Sequence, residues 1–286
     1  MKLLASLMAG LMMAPIAAMA QTEPTDTVTI FMIGDSTMAN KPLDKENQER
    51  GWGQMLPLYF QGPVKIDNHA VNGRSSKSFI GEHRWDSVMA KIRPGDFVII
   101  QFGHNDEKIK SADRYTEPGG SFDANLLRFV TDTRSKGATP ILMNSIVRRN
   151  FPANVTAVHV DTDDNPPAAV GPVANKSGEE GVILVDTHGQ YLVSPRRVAE
   201  QTGTVFIDMN KLTHKLVQEL GPTLSKQLFM WIPPQTYEFC PKGKVDNTHL
   251  NVLGGIIVAR LAADALAANV PELRPYIKPE VYYLNK

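Results

Sequence analysis

The chain has 286 residues, of which 42% are hydrophobic, with 30 basic and 30 acidic side chains and one cysteine, Cys240. This charge balance excludes a general electrostatic attraction to nucleic acid or to an anionic membrane. A single cysteine excludes an internal disulfide, so packing has to stabilise the fold. We expect Cys240 to be a buried, unreactive thiol, and the length suits one large domain.

The first twenty residues have the pattern of a secretory signal peptide. A lysine at position 2 is followed by a mostly apolar stretch, residues 3–19, and by a small-x-small cleavage site at residues 18–20. The apolar stretch is short and contains a proline, which disfavours a retained membrane anchor. We predict cleavage before Gln21, export to the periplasm or the medium, and one mature domain over residues 21–286.

A continuous apolar run at residues 28–33 ends abruptly in Gly-Asp-Ser at positions 34–36. Such a run is typical of a strand that is buried on both faces of a parallel sheet. Ligands of parallel sheets bind beyond the carboxyl ends of the strands, which makes Ser36 a candidate nucleophile. Gly34 would let the backbone turn sharply at this point. The alternative is that the strand leads directly into a helix, with Asp or Ser as its N-cap and no catalytic role.

Strand and helix patterns alternate along the rest of the chain. Further strands are predicted at residues 64–71, 97–102, 139–147 and 204–209. Helices are predicted at residues 51–59, at 76–93 after a Ser75 or Ser76 cap, at 122–135, at 196–201, at 211–220 after an Asn210 cap, and, amphipathic, at 251–268. Four segments lack such patterns: a charged surface loop at 41–50, a long excursion at 150–181, an aromatic-rich irregular stretch at 221–245 and an extended tail at 271–286. The alternation predicts a parallel sheet covered by helices on both faces in one domain.

Three predicted strands end in sharp polar turns, and a fourth polar motif directly precedes the last helix. The turns are Gly34-Asp35-Ser36, Asn72-Gly73-Arg74 and Gly103-His104-Asn105-Asp106, and the fourth motif is Asp246-Asn247-Thr248-His249-Leu250. Parallel strands bring their carboxyl ends to one edge of a sheet. Four such motifs at one edge are much less expected by chance than one.

These residue types match the needs of acyl transfer from a serine, namely a base, an orienting group for the base and donors for an oxyanion. His249 suits the base, because an imidazole is poised for proton transfer near neutral pH. Asp246 can turn back on the same loop and accept from the other ring nitrogen. The candidate oxyanion donors are the backbone N–H groups of Ser36 and Gly73 and the side-chain amide of Asn105. Glycine suits its role because a bare backbone admits the acyl oxygen closely.

Two other hydrolytic chemistries fit the sequence less well. An α/β-hydrolase elbow requires a glycine two residues after the serine, where this chain has Met38. A metallophosphoesterase would need several converging carboxylates and histidines, and no Asp-x-His precedes Gly34. Activity in EDTA separates that reading from a serine esterase. His104 is interpreted as a structural histidine, and plain caps and turns are compatible with the catalytic roles.

The four motifs together resemble the four blocks of the SGNH (GDSL-type) hydrolases, and in detail those of the rhamnogalacturonan acetylesterases. The resemblance spans residues 34–251. It implies a three-layer αβα, flavodoxin-like sandwich with a five-stranded parallel sheet and no metal or cofactor. The implied site residues are Ser36, Asp246 and His249 as the catalytic triad, and Ser36, Gly73 and Asn105 as the oxyanion hole.

The resemblance also implies a substrate class, O-acetyl groups on pectin or another plant polysaccharide. Acetylxylan, another carbohydrate or lipid ester, and a non-catalytic glycan-binding role on the same scaffold are the alternatives. The expected partner is therefore an acetylated poly- or oligosaccharide, with no nucleic acid and no membrane anchor, and a monomer is expected.

Acetyl is a small acyl group, so specificity has to come from contacts to the surrounding sugars. Arg74 and the pair Arg148 and Arg149 are candidates to bind galacturonate carboxylates as bidentate donors, and solvated surface arginines are the alternative. Three aromatic side chains are candidates either to stack on sugar rings or to pack a loop: Trp231, Tyr237 and Phe239.

Overall fold

The structure is a computed structural model that describes residues 27–152 and 182–279. The predicted signal peptide, residues 153–181 of the predicted excursion and residues 280–286 lie outside the described residues. One sheet contains five strands: β1 (Val28–Gly34), β2 (Val64–Asn68), β3 (Phe97–Gln101), β4 (Thr139–Met143) and β5 (Val205–Ile207). All neighbours pair in parallel, in the order β2-β1-β3-β4-β5. This is the flavodoxin-like order, which confirms the predicted fold class.

Helices cover both faces of the sheet, as predicted. Those of the described residues are α1 (Trp52–Met55), α2 (Ser76–Gly81), α3 (Arg84–Met89), α4 (Ser121–Ser135), α5 (Val193–Thr202), α6 (Met209–Leu224) and α7 (Val252–Asn269). Helices α1, α6 and α7 pack on one face, and α2, α3, α4 and α5 pack on the other. The molecule therefore has three layers.

The uniform apolar run of β1 follows from this double cover. Successive side chains of a strand point to opposite faces. Ile30 and Met32 accordingly enter the core beneath α1, α6 and α7, whereas Phe31 and Ile33 enter the core beneath α2 to α5. All four side chains are buried, so neither face of β1 tolerates the polar alternation that a half-exposed strand shows.

Several predicted bounds are wrong. The helix predicted at 76–93 is two helices, because His83 has a left-handed backbone (φ 56°) between α2 and α3. The predicted strands 64–71 and 139–147 leave the sheet earlier, at the ends of β2 and β4. The tail predicted to be extended begins with a 3-10 turn, Pro271–Tyr276, before Ile277 pairs with Phe60.

The cap of α6 is Asp208 and not the predicted Asn210. The Asp208 side chain accepts a hydrogen bond from the backbone N–H of Lys211. Asn210 is occupied otherwise, since its backbone N–H donates to Asn144 and its amide donates to Asp186. The cap of α2 is Ser75, one of the two predicted residues, and it forms a reciprocal capping box with Ser78.

A β-hairpin begins in the stretch predicted to be irregular, residues 221–245. Strands β6 (Phe229–Ile232) and β7 (Lys244–Leu250) pair in antiparallel fashion outside the main sheet. The sequence conceals β7, because Lys-Val-Asp-Asn-Thr-His-Leu shows neither apolar alternation nor a continuous apolar run. This hairpin carries Asp246 and His249, so the pair lies on a strand and not on the predicted loop.

Helix α7 lies where the sequence predicts a helix. It is not amphipathic as predicted, because apolar residues cover much of its circumference. Asn251 caps it by accepting from the backbone N–H of Gly254, and small residues let it approach its neighbours closely. A Cβ at Gly254 would lie 2.0 Å from the Leu228 carbonyl oxygen. Among the described residues, this one helix has the length and hydropathy of a membrane span, a property it shares with many core helices.

Candidate active site

The turn after β1 presents Ser36 at the carboxyl edge of the sheet. A Cβ at Gly34 would lie 2.7 Å from the Gln101 carbonyl oxygen of β3, so close approach of the neighbouring strand requires the glycine. The buried Asp35 closes the turn by accepting from the backbone N–H and the hydroxyl of Thr37, at 2.9 and 2.8 Å. Burial raises the pKa of the Asp35 carboxyl, and the bonds from Thr37 oppose that rise. Ser36, less buried than its neighbours, remains available to a ligand.

The structure joins Ser36, His249 and Asp246 in one line of hydrogen bonds, as the sequence predicts. The Ser36 Oγ lies 2.9 Å from His249 Nε2, across 213 residues of sequence. The other ring nitrogen, Nδ1, lies 2.7 Å from Asp246 Oδ2. With Nδ1–H donating to the carboxylate, Nε2 is left to accept the serine proton. The arrangement is competent to deprotonate the hydroxyl.

A break in the hairpin ladder places Asp246 and His249 together. Residues three apart on a regular strand point to opposite faces. Here the register shifts, because Phe229 pairs with Leu250 while the adjacent Met230 pairs with Asp246. The Asp246 Oδ1 atom closes the irregular segment by accepting the backbone N–H groups of Thr248 and His249, at 2.8 and 3.0 Å. One carboxylate thus shapes its own turn and orients the imidazole.

The carboxylate of Asp246 is held ionised. Burial alone would raise its pKa, but the hydrogen bond and charge of His249 and the two backbone N–H donors hold the pKa well below its ordinary value. An ionised Asp246 accepts a proton only with difficulty. It therefore suits an orienting and charge-stabilising role, and not that of a proton carrier.

The three candidate oxyanion donors lie on neighbouring turns that hydrogen bonds tie together. The Val71 N–H donates to the Gly34 carbonyl oxygen at 3.0 Å, and the Asn105 amide donates to the Arg74 carbonyl oxygen at 3.1 Å. That bond uses one N–H of the amide and leaves the second for a ligand. Gly73 has φ 75°, and a Cβ there would meet no atom within 4 Å. The left-handed backbone at this position therefore favours glycine by itself, in addition to the close approach of an acyl oxygen that a bare backbone would allow.

Hydrogen bonds to the buried side chain of Asp106 connect two of these turns. Its carboxylate accepts from the backbone N–H of Ser76 at 3.0 Å, from the Ser76 hydroxyl at 2.5 Å and from the Thr116 hydroxyl at 2.9 Å. Burial raises the pKa of this carboxyl to about 7, against the opposing effect of these donors. Asp106 thus fixes the start of α2 to the turn that carries Asn105.

The raised pKa of Asp106 makes stability depend on pH. Between about pH 4 and 7 the folded chain binds more protons at this carboxyl than the unfolded chain does, so its contribution to the free energy of unfolding falls as pH rises. Relative to Asp106→Asn, the wild type should lose stability across this window, on the order of a few kcal/mol. Urea unfolding of both proteins at several pH values measures the difference. Parallel curves would contradict the prediction.

His104 is buried and makes no hydrogen bond from either ring nitrogen among the described residues. Its ring packs edge-to-face on His188, with 4.5 Å between centroids. Burial holds the pKa of His104 well below its ordinary value, so the ring is neutral. It contacts neither Ser36 nor Asp246 by a hydrogen bond, in line with the structural interpretation.

The candidate substrate arginines are all engaged within the protein. Arg74 forms an ion pair with Glu82 at 3.1 Å, and Arg148 pairs with Glu107 and donates to the His104 carbonyl oxygen. Arg149 is buried and does not lie on the surface. Its guanidinium bonds the side chains of Ser225 and Asn247, each at 3.0 Å, and the Pro222 carbonyl oxygen. Arg149 thus anchors the segment before β6 to β7.

The candidate aromatic side chains have partners within the protein too. Trp231 donates its indole N–H to Asn247 at 2.9 Å, and the Lys226 ammonium lies 4.4 Å from its ring centroid. Tyr237 and Phe239 pack against each other. In the described part of the chain, no group of three or more His, Cys, Asp or Glu side chains is arranged to hold a metal ion.

Three charged residues outside the four polar motifs lie beside the site: Lys41, Glu49 and Lys244. The predicted surface loop at 41–50 is wrong for Lys41, which is 5% exposed. Lys244 and Asp246 share a face of β7, because residues two apart on a strand do, but the sequence conceals that strand. Lys41 and Glu49 gave no signal either, since a charged stretch without apolar period normally indicates solvent.

The comparisons with known proteins agree with this geometry. Residues 32–254 match the GDSL-like Lipase/Acylhydrolase family. The chain is 32% identical to rhamnogalacturonan acetylesterase RhgT of Bacillus subtilis over 84% of this chain and 89% of that protein. It is 26% identical to a rhamnogalacturonan acetylesterase of Emericella nidulans, over 81% of each.

Solved structures share the fold. Protein YxiM of Bacillus subtilis superposes with a TM-score of 0.63 at 24% identity over 86% of this chain, which spans 58% of that structure. The acetylxylan esterase Axe2 of Geobacillus stearothermophilus gives a TM-score of 0.52 at 17% identity, over 84% of this chain and 94% of that one. The resemblance of the four motifs is thereby confirmed, and the chain belongs to the GDSL-like lipase/acylhydrolase family of ester hydrolases.

Proposed function

We propose that this protein is a serine esterase that removes O-acetyl groups from plant cell-wall polysaccharide, with rhamnogalacturonan as the first substrate. The observation that carries the chemistry is the line of hydrogen bonds from Ser36 through His249 to Asp246. The substrate class rests on the relatives named rhamnogalacturonan acetylesterases, which align over most of the chain.

The proposed reaction proceeds through an acetyl-enzyme. The Ser36 Oγ attacks the acetyl carbonyl carbon while its proton passes to His249 Nε2. The oxyanion accepts from the N–H groups of Ser36 and Gly73 and from the Asn105 amide. When the tetrahedral species collapses, the sugar oxygen leaves and takes the proton from Nε2. Water then attacks the acetyl-serine in the same way, with Nε2 as base, and acetate is released.

Acetate release from a panel of esters tests the proposal. The panel contains acetylated rhamnogalacturonan, acetylated homogalacturonan, acetylated xylan and p-nitrophenyl acetate, each with and without EDTA. We expect release in EDTA and the highest kcat/KM on rhamnogalacturonan. Faster release from xylan would overturn the substrate assignment. No release from any ester, or loss of activity in EDTA, would overturn the serine esterase.

Asn105→Ala should lower kcat about 10²–10³-fold on p-nitrophenyl acetate with little change in KM, because an oxyanion donor acts on charge that exists only in the transition state. The control is Asn125→Ala, which removes another part-buried amide, one that donates to the Ser76 hydroxyl. Equal losses in the two variants would indicate disturbed packing. An unchanged kcat in Asn105→Ala would remove this residue from the oxyanion hole.

We further propose that the protein is exported after cleavage before Gln21 and acts as a monomer without a membrane anchor. The sequence pattern of residues 1–20 supports the export and the cleavage. Mass spectrometry of the mature amino terminus and gel filtration of the purified enzyme are the measurements. A mature chain that begins at Met1, or elution as a dimer, would contradict the corresponding part.

A further inference from the structure

Lys41 is a buried cation that the proposed reaction does not use. Its side chain is 2% exposed, and lysine is almost never this buried without a partner. The ammonium lies 2.8 Å from Glu49 Oε1 and donates to Asn72 Oδ1 at 2.5 Å. Asn72 directly precedes Gly73, so the cation reaches the turn that carries an oxyanion donor.

The contacts continue from Glu49 to the orienting carboxylate. Glu49 Oε2 lies 2.7 Å from Lys244 Nζ, which lies 3.4 Å from Asp246 Oδ2. We call this row of five side chains the charge bridge: Asp246, Lys244, Glu49, Lys41 and Asn72. It connects the two halves of the site, the base with its carboxylate and the oxyanion turn, without passing through Ser36.

Backbone contacts hold Lys41 and Glu49, two neighbouring members of the charge bridge, in place. The Gln54 side chain accepts from the Lys41 N–H at 2.9 Å and donates to the Lys41 carbonyl oxygen at 3.0 Å. Glu49 forms a backbone bridge with Asn251, at the end of β7. Burial lowers the pKa of the Lys41 ammonium, but the Glu49 carboxylate opposes that change. The chain therefore fixes the position of this ion pair before any substrate binds.

The peptide group between Asn72 and Gly73 carries the N–H in question. Its carbonyl oxygen accepts from the Arg74 guanidinium at 2.9 Å, and the Asn72 side chain is held by Lys41. Rotation of this peptide about its flanking bonds would change the direction of the N–H. A donor contributes fully to catalysis only when it is oriented in advance.

We propose that Lys41, held by Glu49, is a positioning residue that orients the Asn72–Gly73 peptide toward the oxyanion, and that Lys244 connects it to Asp246. This inference rests on the proposed function, since it assigns Gly73 as a donor. The effect of Lys41 should fall on kcat and not on KM, because the oxyanion is absent from the ground state.

The test is a double-mutant cycle on p-nitrophenyl acetate. Lys41→Met keeps the length of the side-chain stem and removes the charge. We expect kcat to fall about 10- to 100-fold, which is less than the loss of a whole oxyanion donor would cause, with KM within about twofold of the wild-type value. Asn72→Ala should lower kcat by a similar factor. In the double variant the losses should not multiply, because Lys41 acts through Asn72.

Glu49→Gln provides a second route if Lys41→Met does not fold, and it should also lower kcat. Its matched control is Asp123→Asn, which converts a carboxylate of equal side-chain exposure, 15% against 16%, in an ion pair with Arg197. An unchanged kcat in Lys41→Met, multiplying losses, or equal losses in Glu49→Gln and Asp123→Asn would overturn the inference. If Ser36→Ala is inactive in the same assay, such a result leaves the proposed function intact; an active Ser36→Ala overturns both.

Discussion

Ser36→Ala should lower kcat/KM for acetyl esters by about 10⁶-fold, because no acetyl-enzyme can form without the hydroxyl. The Ser36 Oγ donates to His249 and to no other described side chain. The turn itself is held by the bonds between Asp35 and Thr37, which alanine at position 36 leaves unchanged. The loss should therefore appear in activity and not in the thermal unfolding transition.

The measurement is initial-rate hydrolysis of p-nitrophenyl acetate and of acetylated rhamnogalacturonan, with circular dichroism melts of the same preparations. Ser87→Ala is the control, since within the described part of the chain its hydroxyl bonds only the His83 carbonyl oxygen, on the exposed side of α3. It should retain wild-type rates. A Ser36→Ala enzyme that kept a tenth of the activity would show that His249 activates water directly, and the acetyl-serine would have to be abandoned.

Asp246→Asn should lower kcat about 10⁴-fold through the tautomer of the imidazole. The oxygen of the new amide will remain with the backbone N–H groups of Thr248 and His249, because those donors require an acceptor. The NH₂ group then faces His249 Nδ1 and forces that nitrogen to accept. The proton moves to Nε2, which can no longer take a proton from Ser36.

Steady-state kinetics over a range of pH measure this loss. Asp132→Asn is the matched control, because its carboxylate also accepts from an aromatic ring N–H, that of Trp85 at 2.8 Å. The control should alter stability and leave kcat near the wild-type value. A loss of less than tenfold in Asp246→Asn, with the fold intact, would mean that the ring keeps its tautomer without the carboxylate.

The sheet and the position of Ser36 at its carboxyl edge could be predicted because local sequence determines them. Ile30 to Ile33 are apolar since both faces of β1 are covered, and the polar turn that follows has to lie at the carboxyl edge. The partners of Ser36 were predictable in identity, because few residue types can perform the chemistry. The backbone that brings Asp246 and His249 together could not be predicted, since it depends on a register shift between β6 and β7.

What could not be predicted depends on distant contacts. Lys41 lies in a charged stretch that normally faces water, and only Glu49 and Asn72 explain its burial. The left-handed backbone of His83 divides residues 76–93 into two helices, where the apolar periodicity of the sequence predicts one. Asp208 caps α6 in place of Asn210, because Asn210 makes other hydrogen bonds, donating from its backbone N–H to Asn144 and from its amide to Asp186. In each case tertiary structure overrides a local preference.

The bond between Ser36 and His249 spans 213 residues, with the nucleophile near the start of the described chain and the base close to its end. During synthesis Ser36 therefore emerges long before His249, and the serine esterase that we propose requires both side chains. A chain that stops before the β6–β7 hairpin would carry the hydroxyl without the imidazole that accepts its proton, and we expect it to be inactive on acetyl esters.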